Sequence, residues 1–488
     1  MRNKVFFIAL ISILWVTVSC KKYRHEEFGR NLSKAFKSKA YKDFDTTAYY
    51  AVFKEQLKKE RNTVHHPQWL SKIYTTEDKG LTLIGNFLIG GEIDSLHQYL
   101  NESHYHGLNP DYFHAAAIAQ LLDTVKNTKF KKVEDTYPLL SKLEILSADG
   151  LINYANILKY GIINPKKIHG KYYDAVDRPD FIDSQKALDQ LDILAFLRDI
   201  QPKSIEYARL QDVLRKSEAL EPQHKEKIYL NLERLRWPVK EYPQRHILVN
   251  IPEFKLRLIE NGKEQQSIKV CVGETAYKPF SRNGKNHETP VLSGKIDRMQ
   301  VNPVWNIPKS IAGNEIMQSL KRNASYLEEN NMVAYNKAGD IVDASAVDWN
   351  SASVDDYSFK QNPGVDNSLG RIKFIFYNPY AIYLHDTPAK QMFNEKNRAV
   401  SHGCVRVEEP ARLVDFLLTD KSEADKVKSE ISGESTTSRW VTLKEPVMVY
   451  LAYYTARTSE NGDLIMVEDV YGKDKALKSA LGNRMTKL

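Results

Sequence analysis

The sequence predicts an α+β chain in two main parts: an all-helical domain over residues 46–242, then a β-rich domain over 243–456 that carries a helical and loop insertion at about 309–365. Three observations lead there. Up to Pro238, apolar residues recur three and four positions apart, the spacing of a helix buried along one stripe. Beyond Tyr242 they alternate or run together in short stretches, as in strands. Between Pro308 and Arg371 the strand pattern breaks: Ile311, Ile316, Leu320 and Leu327 suggest short helices, while Ser351-Ala352-Ser353 and Asn362-Pro363-Gly364 read as loop.

In chain order, Met1 to Cys20 is a targeting segment. Arg2 and Lys4 are its positive end, and Val5 to Val18 is an apolar run short for a bilayer. The ending Val16-Thr17-Val18-Ser19-Cys20 resembles a lipoprotein signal, which implies lipidation of Cys20 after cleavage, although Thr17 stands where such signals usually carry Leu. A plain signal peptide or an uncleaved anchor is the alternative, and in each case the rest is exported. Residues 21–45 are polar and charged and read as a tether. Leu139, Leu143 and Leu146, then Leu151, Ala155 and Leu158, make a helix closed by Gly161 and Pro165; Ile228, Leu232 and Leu235 make another, closed by Pro238. His106 to Pro110 is a turn opening a helix from Asp111. In the second part, His246–Ile251 and Lys255–Ile259 are strands, Glu260-Asn261-Gly262-Lys263 is a hairpin turn and Gln265–Val272 the return strand. Gly370 to Phe376 is a further β run, Pro410–Leu418 a helix, Pro446–Tyr454 a late strand, and 457–488 a polar tail with helical character.

The bulk numbers exclude several classes. A chain of 488 residues, 42% hydrophobic and 27% charged, is globular and long enough for two or three cores. Its net charge of +8 is modest, and no Lys/Arg stripe interleaved with aromatics is present, so nucleic acid is not an expected partner. Three cysteines make no disulfide framework. Cys271, in an apolar strand, reads as a small buried hydrophobe.

Cys404 is different. It ends Ser401-His402-Gly403-Cys404, and His385 lies 19 positions upstream. A thiol attacks carbonyls as thiolate, so a nucleophilic cysteine needs a partner that takes its proton or stabilises its charge. His402, two residues away, would share a side with Cys404 in an extended segment. His385 would reach it across the fold, the usual construction of Cys/His pairs. Gly403 leaves backbone room, and the N–H groups around it are candidates to receive an oxyanion. A zinc site of His385, His402 and Cys404 is the alternative, but it lacks a fourth ligand or a familiar zinc spacing. No metal or organic cofactor is expected.

The stretch Tyr383-Leu384-His385-Asp386-Thr387-Pro388, with Arg398-Ala399-Val400 and Ser401-His402-Gly403-Cys404, resembles the YkuD-type L,D-transpeptidases, in their large-scaffold branch. Asn250-Ile251-Pro252 and Asn302-Pro303-Val304-Trp305 resemble the opening of that catalytic domain. Gly107-Leu108-Asn109-Pro110 and Asn231-Leu232-Glu233-Arg234-Leu235-Arg236-Trp237 resemble its scaffold. The resemblance implies a cysteine acyltransferase with Cys404 as nucleophile and His385 as proton acceptor and donor, acting on peptidoglycan stem peptides as donor and acceptor. It places Ser401, His402 and Gly403 in support, Arg406 and Tyr383 against substrate, and makes the insertion a lid over the site, or else a surface decoration. Arg371 and Lys373 are candidates to hold a substrate carboxylate, with solvated strand charge the preferred reading. Relatives often carry a peptidoglycan-binding module before the Asn231 helix, and 201–224 is too short for one. L,D-carboxypeptidase, protein attachment to the wall, an inactive wall-binding scaffold lipoprotein and a secreted cysteine protease are the alternatives.

Overall fold

The computed structural model describes residues 25–75, 80–216, 219–237 and 242–487; the targeting segment and Cys20 lie outside these. Chain contacts divide it into two units, Met1–Glu102 with Pro110–Ala155 and Asp180–Asp199, and Ser103–Asn109 with Asn156–Pro179 and Ile200–Leu488. Helical segments before 242 belong to both units. No helix among the described residues is long and apolar enough to cross a membrane.

The first unit is helical. Residues 21–45, expected to be a tether, are folded from His25 onward: helix His25–Ala35 and a 3₁₀ turn Lys39–Asp43 bury Phe28, Leu32 and Tyr41 completely. Aromatic side chains spaced along a polar stretch are enough to dock it, since each burial is worth about 1.5–3 kcal/mol. The Tyr41 hydroxyl donates to the Val125 carbonyl at 2.7 Å. Within the same unit Glu144 is fully buried, and its carboxylate accepts from the N–H groups of Leu83 and Ile84, the open end of a short helix.

The second unit is built on strands: β1 (His246–Asn250), β2 (Lys255–Glu260), β3 (Lys263–Gly273), β4 (Leu292–Val301), β5 (Trp305–Ile307), β6 (Met332–Tyr335), β7 (Ile341–Val342), β8 (Ser358–Gln361), β9 (Ile372–Phe376), β10 (Leu384–His385), β11 (Ala399–Ser401), β12 (Val405–Val407), β13 (Arg439–Ala452), β14 (Ala456–Thr458) and β15 (Leu464–Met466). Nine of them form one sheet in the order β11-β3-β12-β10-β9-β4-β13-β1-β2, and β2 also pairs with β3, so the sheet closes on itself and leaves few open edges. The expected hairpin is present. Asn261 and Gly262 both have positive φ, 53° and 71°, as the two-residue turn between β2 and β3 requires. Ile247, Val249, Leu256, Ile296, Phe374, Leu384, Val405 and Val449 fill the interior, closed by helix Pro410–Leu417.

The insertion has more strand than expected. β5, β8, β6 and β7 make a separate four-stranded sheet with its own core around Met317, Trp349 and Phe359. The segment 457–488 is not a loose tail: β14 pairs with β15, and helix Lys473–Leu481 buries Leu477 and Leu481. Its anchor is the helix Pro222–Leu235. Asn231 and Arg234 donate to the Thr455 hydroxyl, and Arg234 pairs with Asp474 at 2.7 Å. The fully buried Glu233 accepts from the N–H groups of Ile162 and Ile163 and pairs with Arg236. The charged letters of that helix thus serve as buried connectors, each paired as burial demands.

Candidate active site

Parallel strands β10 and β12 bring the motif together, with Leu384 opposite Val405 and His385 opposite Arg406. Leu384 and Val405 are fully buried in the core. Side chains alternate along a strand, so His385 on β10 and Arg406 on β12 point to the other face, with Tyr383 and Cys404 immediately before those strands.

His385 is 3% exposed. Its Nδ1 meets the Asp386 carbonyl, and the Leu369 carbonyl is a second backbone hydrogen-bond partner of the ring. Burial first, then the neighbouring Arg406 charge, hold its pKa down at about 3. The backbone below it is tied: the Asp386 carboxylate accepts from the Arg371 N–H at 2.8 Å and from Lys390 at 2.6 Å.

The Cys404 thiol is half-buried, and burial pushes its pKa up to about 11 against the pull of the Tyr383 N–H, Arg406, the Tyr383 hydroxyl and Lys373. The sulfur also lies 3.8 Å from the Ala381 carbonyl. Among the described residues its hydrogen-bond partners are the Tyr383 N–H and hydroxyl and the Ala381 carbonyl, and the His385 ring is not one of them. The resting pair is therefore a neutral thiol beside a neutral imidazole. Arg406 is partly buried, and its Nε has no hydrogen-bond partner among the described residues. On its other side Arg406 lies opposite Cys271, fully buried and free as expected.

The loop before the sulfur departs from the extended form in which His402 and Cys404 would share a side. Gly403 has φ +114°, a region that side chains avoid, and it turns the chain. His402 points instead to the capping insertion, where its Nε2 meets Glu315 at 2.8 Å. The Ser401 hydroxyl accepts from the Gly403 N–H and donates to the Cys404 carbonyl, so the Gly403 N–H is committed and is not a free oxyanion donor. The Cys404 N–H forms no hydrogen bond among the described residues. Arg371, weighed for a substrate carboxylate, is 8% exposed and donates to the carbonyls of Glu430, Gly433 and Ser435; it braces the fold. Lys373 stays on the site face, over the Tyr383 ring at 5.7 Å, its pKa lowered by burial.

Two supporting residues escaped sequence reasoning. Thr289 donates to the Gly403 carbonyl and accepts from the Gly273 N–H, both at 2.8 Å. The Tyr471 hydroxyl, from the supposed tail, donates to the Gly273 carbonyl and accepts from the Thr289 N–H. Neither carries a local signal, since a threonine just before a strand and a tyrosine near a terminus are common. A cavity of about 760 Å³ in the same unit, around Trp237, Tyr242, His246 and Arg457, includes none of the four site residues.

Comparison with known proteins agrees with this geometry. Residues 244–437 match the YkuD L,D-transpeptidase catalytic domain, and residues 68–214 match the Scaffold domain. A Haemophilus influenzae protein named "Putative L,D-transpeptidase" is 33% identical over 261 residues, covering 52% of this chain and 49% of that protein. The chain thus spans about half the length of the curated relative it matches.

Proposed function

Because the chain carries an L,D-transpeptidase catalytic domain and a Scaffold domain, we propose that it forms 3→3 peptidoglycan cross-links through a thioester on Cys404, releasing D-alanine from a tetrapeptide stem. The observation that carries this reading is the pairing of β10 with β12, which sets His385 opposite Arg406 with Tyr383 and Cys404 immediately before those strands. This reading requires the Cys404 sulfur, 3.8 Å from the Ala381 carbonyl, to reach the ring of His385. The imidazole takes the thiol proton as sulfur attacks the carbonyl of the third stem residue. The C–N bond to D-alanine breaks, and the same proton leaves on its amine. The side-chain amine of a second stem then attacks the thioester, passes a proton to the ring, and the ring returns it to the sulfur. The Cys404 N–H is the loop's available donor to the oxyanion, and the Arg406 guanidinium is placed to hold a substrate carboxylate.

The same reading has the protein exported to the periplasm and held at a membrane by lipid on Cys20. Cys20→Ala should free it from the membrane fraction, and an unchanged distribution rejects the anchor. The central test is mass spectrometry after incubation with disaccharide-tetrapeptide. An adduct at Cys404 equal to substrate minus D-alanine supports the acyl-enzyme, and its absence rejects it. Adding an acceptor amine then separates cross-linked dimer from the free tripeptide of a carboxypeptidase.

A further inference from the structure

One cluster beside the nucleophile takes no part in acyl transfer. Glu274, His287 and His402 each offer a ligand atom, and these atoms all lie within 4.8 Å of one another. A fourth donor comes from the capping insertion: Glu315, on the helical turn Ala312–Ile316, accepts from His402 Nε2 at 2.8 Å. We infer that Glu274, His287, His402 and Glu315 form a binding site for a divalent cation of zinc's class, and that its occupancy pins the capping insertion to the Cys404 loop.

The donor set suits such an ion. Imidazole nitrogens with carboxylate oxygens are borderline ligands that zinc accepts in a four-coordinate shell with bonds of about 2.0–2.2 Å. That shell separates neighbouring donors by about 3.4 Å, so the cluster needs only a small contraction. The frame behind it is already rigid. The Glu274 N–H donates to the Ser401 carbonyl at 2.8 Å, and the His287 N–H to the Glu274 carbonyl at 2.9 Å. Gly273 allows this approach: a Cβ there would lie 1.9 Å from the His287 carbonyl. Three chain segments far apart in sequence are thus locked side by side, and each sends one ligand to the same point.

The four groups now pair as two hydrogen-bonded couples, His287 with Glu274 at 2.8 Å and His402 with Glu315 at 2.8 Å. The imidazole rings stand 5.0 Å apart. A cation between them replaces a proton in each couple, and a neutral ring moves that proton to its other nitrogen. Lys285, 3.4 Å from Glu315, is the positive charge facing the cluster and the group that must give way. His402 is two residues from Cys404 and Glu315 belongs to the insertion, so a bound ion bridges lid and nucleophile loop and slows access to the sulfur. The site does not depend on the acyl-transfer reading, because none of its ligands is Cys404 or His385.

The test uses the purified full-length chain, with Zn²⁺ in competition with a chromophoric chelator and Co²⁺ as a spectroscopic probe. One ion should bind per chain, with tetrahedral Co²⁺ absorption. Cys404→Ala should leave the affinity within about twofold, while His287→Ala and His402→Ala should each weaken it at least tenfold, with thermal melts confirming folding. Zn²⁺ should slow iodoacetamide labelling of Cys404 in the unaltered chain, and Glu315→Gln should remove that protection. Affinity lost in Cys404→Ala would place the ion on the thiol and overturn the proposal. So would affinity unchanged in folded His287→Ala, protection that survives Glu315→Gln, or no binding at 100-fold molar excess of Zn²⁺.

Discussion

Two clusters in this molecule join a pair of histidines to a carboxylate, and their surroundings make them different devices. In the helical unit, Asp149 Oδ2 accepts from His65 Nδ1 at 2.7 Å and from His114 Nε2 at 2.8 Å, and its other oxygen accepts the His65 N–H. The carboxylate is wholly buried. Burial alone would push its pKa up, but the bonds from His114 and His65 hold it down at about 2. That cluster is a knot: both rings bind one oxygen, and the other oxygen holds the His65 backbone. Beside Cys404, each histidine has its own carboxylate, and one partner belongs to a lid. Identical residue types therefore brace a fold where they share one buried anion, and present donors outward where each keeps a separate one.

The sharpest way to separate the two is to ask what each loses. Cys404→Ala should abolish turnover, and His385→Gln should lower it about 10²–10⁴-fold, with neither shifting the thermal midpoint greatly. Stem-peptide acylation followed by mass spectrometry measures this; wild-type turnover in Cys404→Ala would end the enzyme reading. Next is the charge state of the resting pair. With the thiol up at about 11 and the His385 ring down at about 3, alkylation of Cys404 should climb about tenfold per pH unit from 6 to 10. A plateau reached below pH 7 would mean a preformed thiolate–imidazolium pair.

A third comparison concerns stability. Asp149→Ala, which strands two histidines, should cost about 3 kcal/mol by urea unfolding, whereas His402→Ala should change it by less than about 0.5 kcal/mol. Equal effects would erase the distinction between knot and open cluster. The sign of the pH dependence follows. The folded Asp149 carboxyl sits at about 2, below its ordinary 3.8, so its contribution is complete above pH 4 and is lost as pH falls toward 2. That contribution is about 2 kcal/mol, read as the difference in acid unfolding between wild type and Asp149→Asn. A smaller effect than that of Asp149→Ala belongs to Tyr471→Phe, which removes one hydroxyl that braces Gly273 and Thr289. About 1 kcal/mol of stability and a several-fold loss of acylation should follow, and unchanged kinetics would make Tyr471 merely structural.

Local pattern sufficed for much of the fold and for singling out His385 and Cys404 as candidates. The Asn261-Gly262 turn, the β9 run and the helix Pro410–Leu417 follow from side-chain period and turn chemistry, which act within a few residues. His385 and Cys404 were legible because acyl chemistry restricts residue types to a short signature. The orientation of His402 was not, because Gly403 breaks the alternation on which that expectation rested.

The sequence by itself determined the order of helical and β-rich parts, the motif Ser401-His402-Gly403-Cys404 with its candidate nucleophile, and the free buried state expected of Cys271. Only the tertiary structure decided that 25–45 is folded, that the last thirty residues brace the site, that Arg371 is spent on carbonyls, and that Thr289, His287 and Glu315 reach the Cys404 loop. The physical reason is distance along the chain. Tyr471 and its acceptor Gly273 are 198 residues apart, and His402 and Glu315 are 87 apart. No spacing rule spans such separations; a closed sheet must form before those side chains meet.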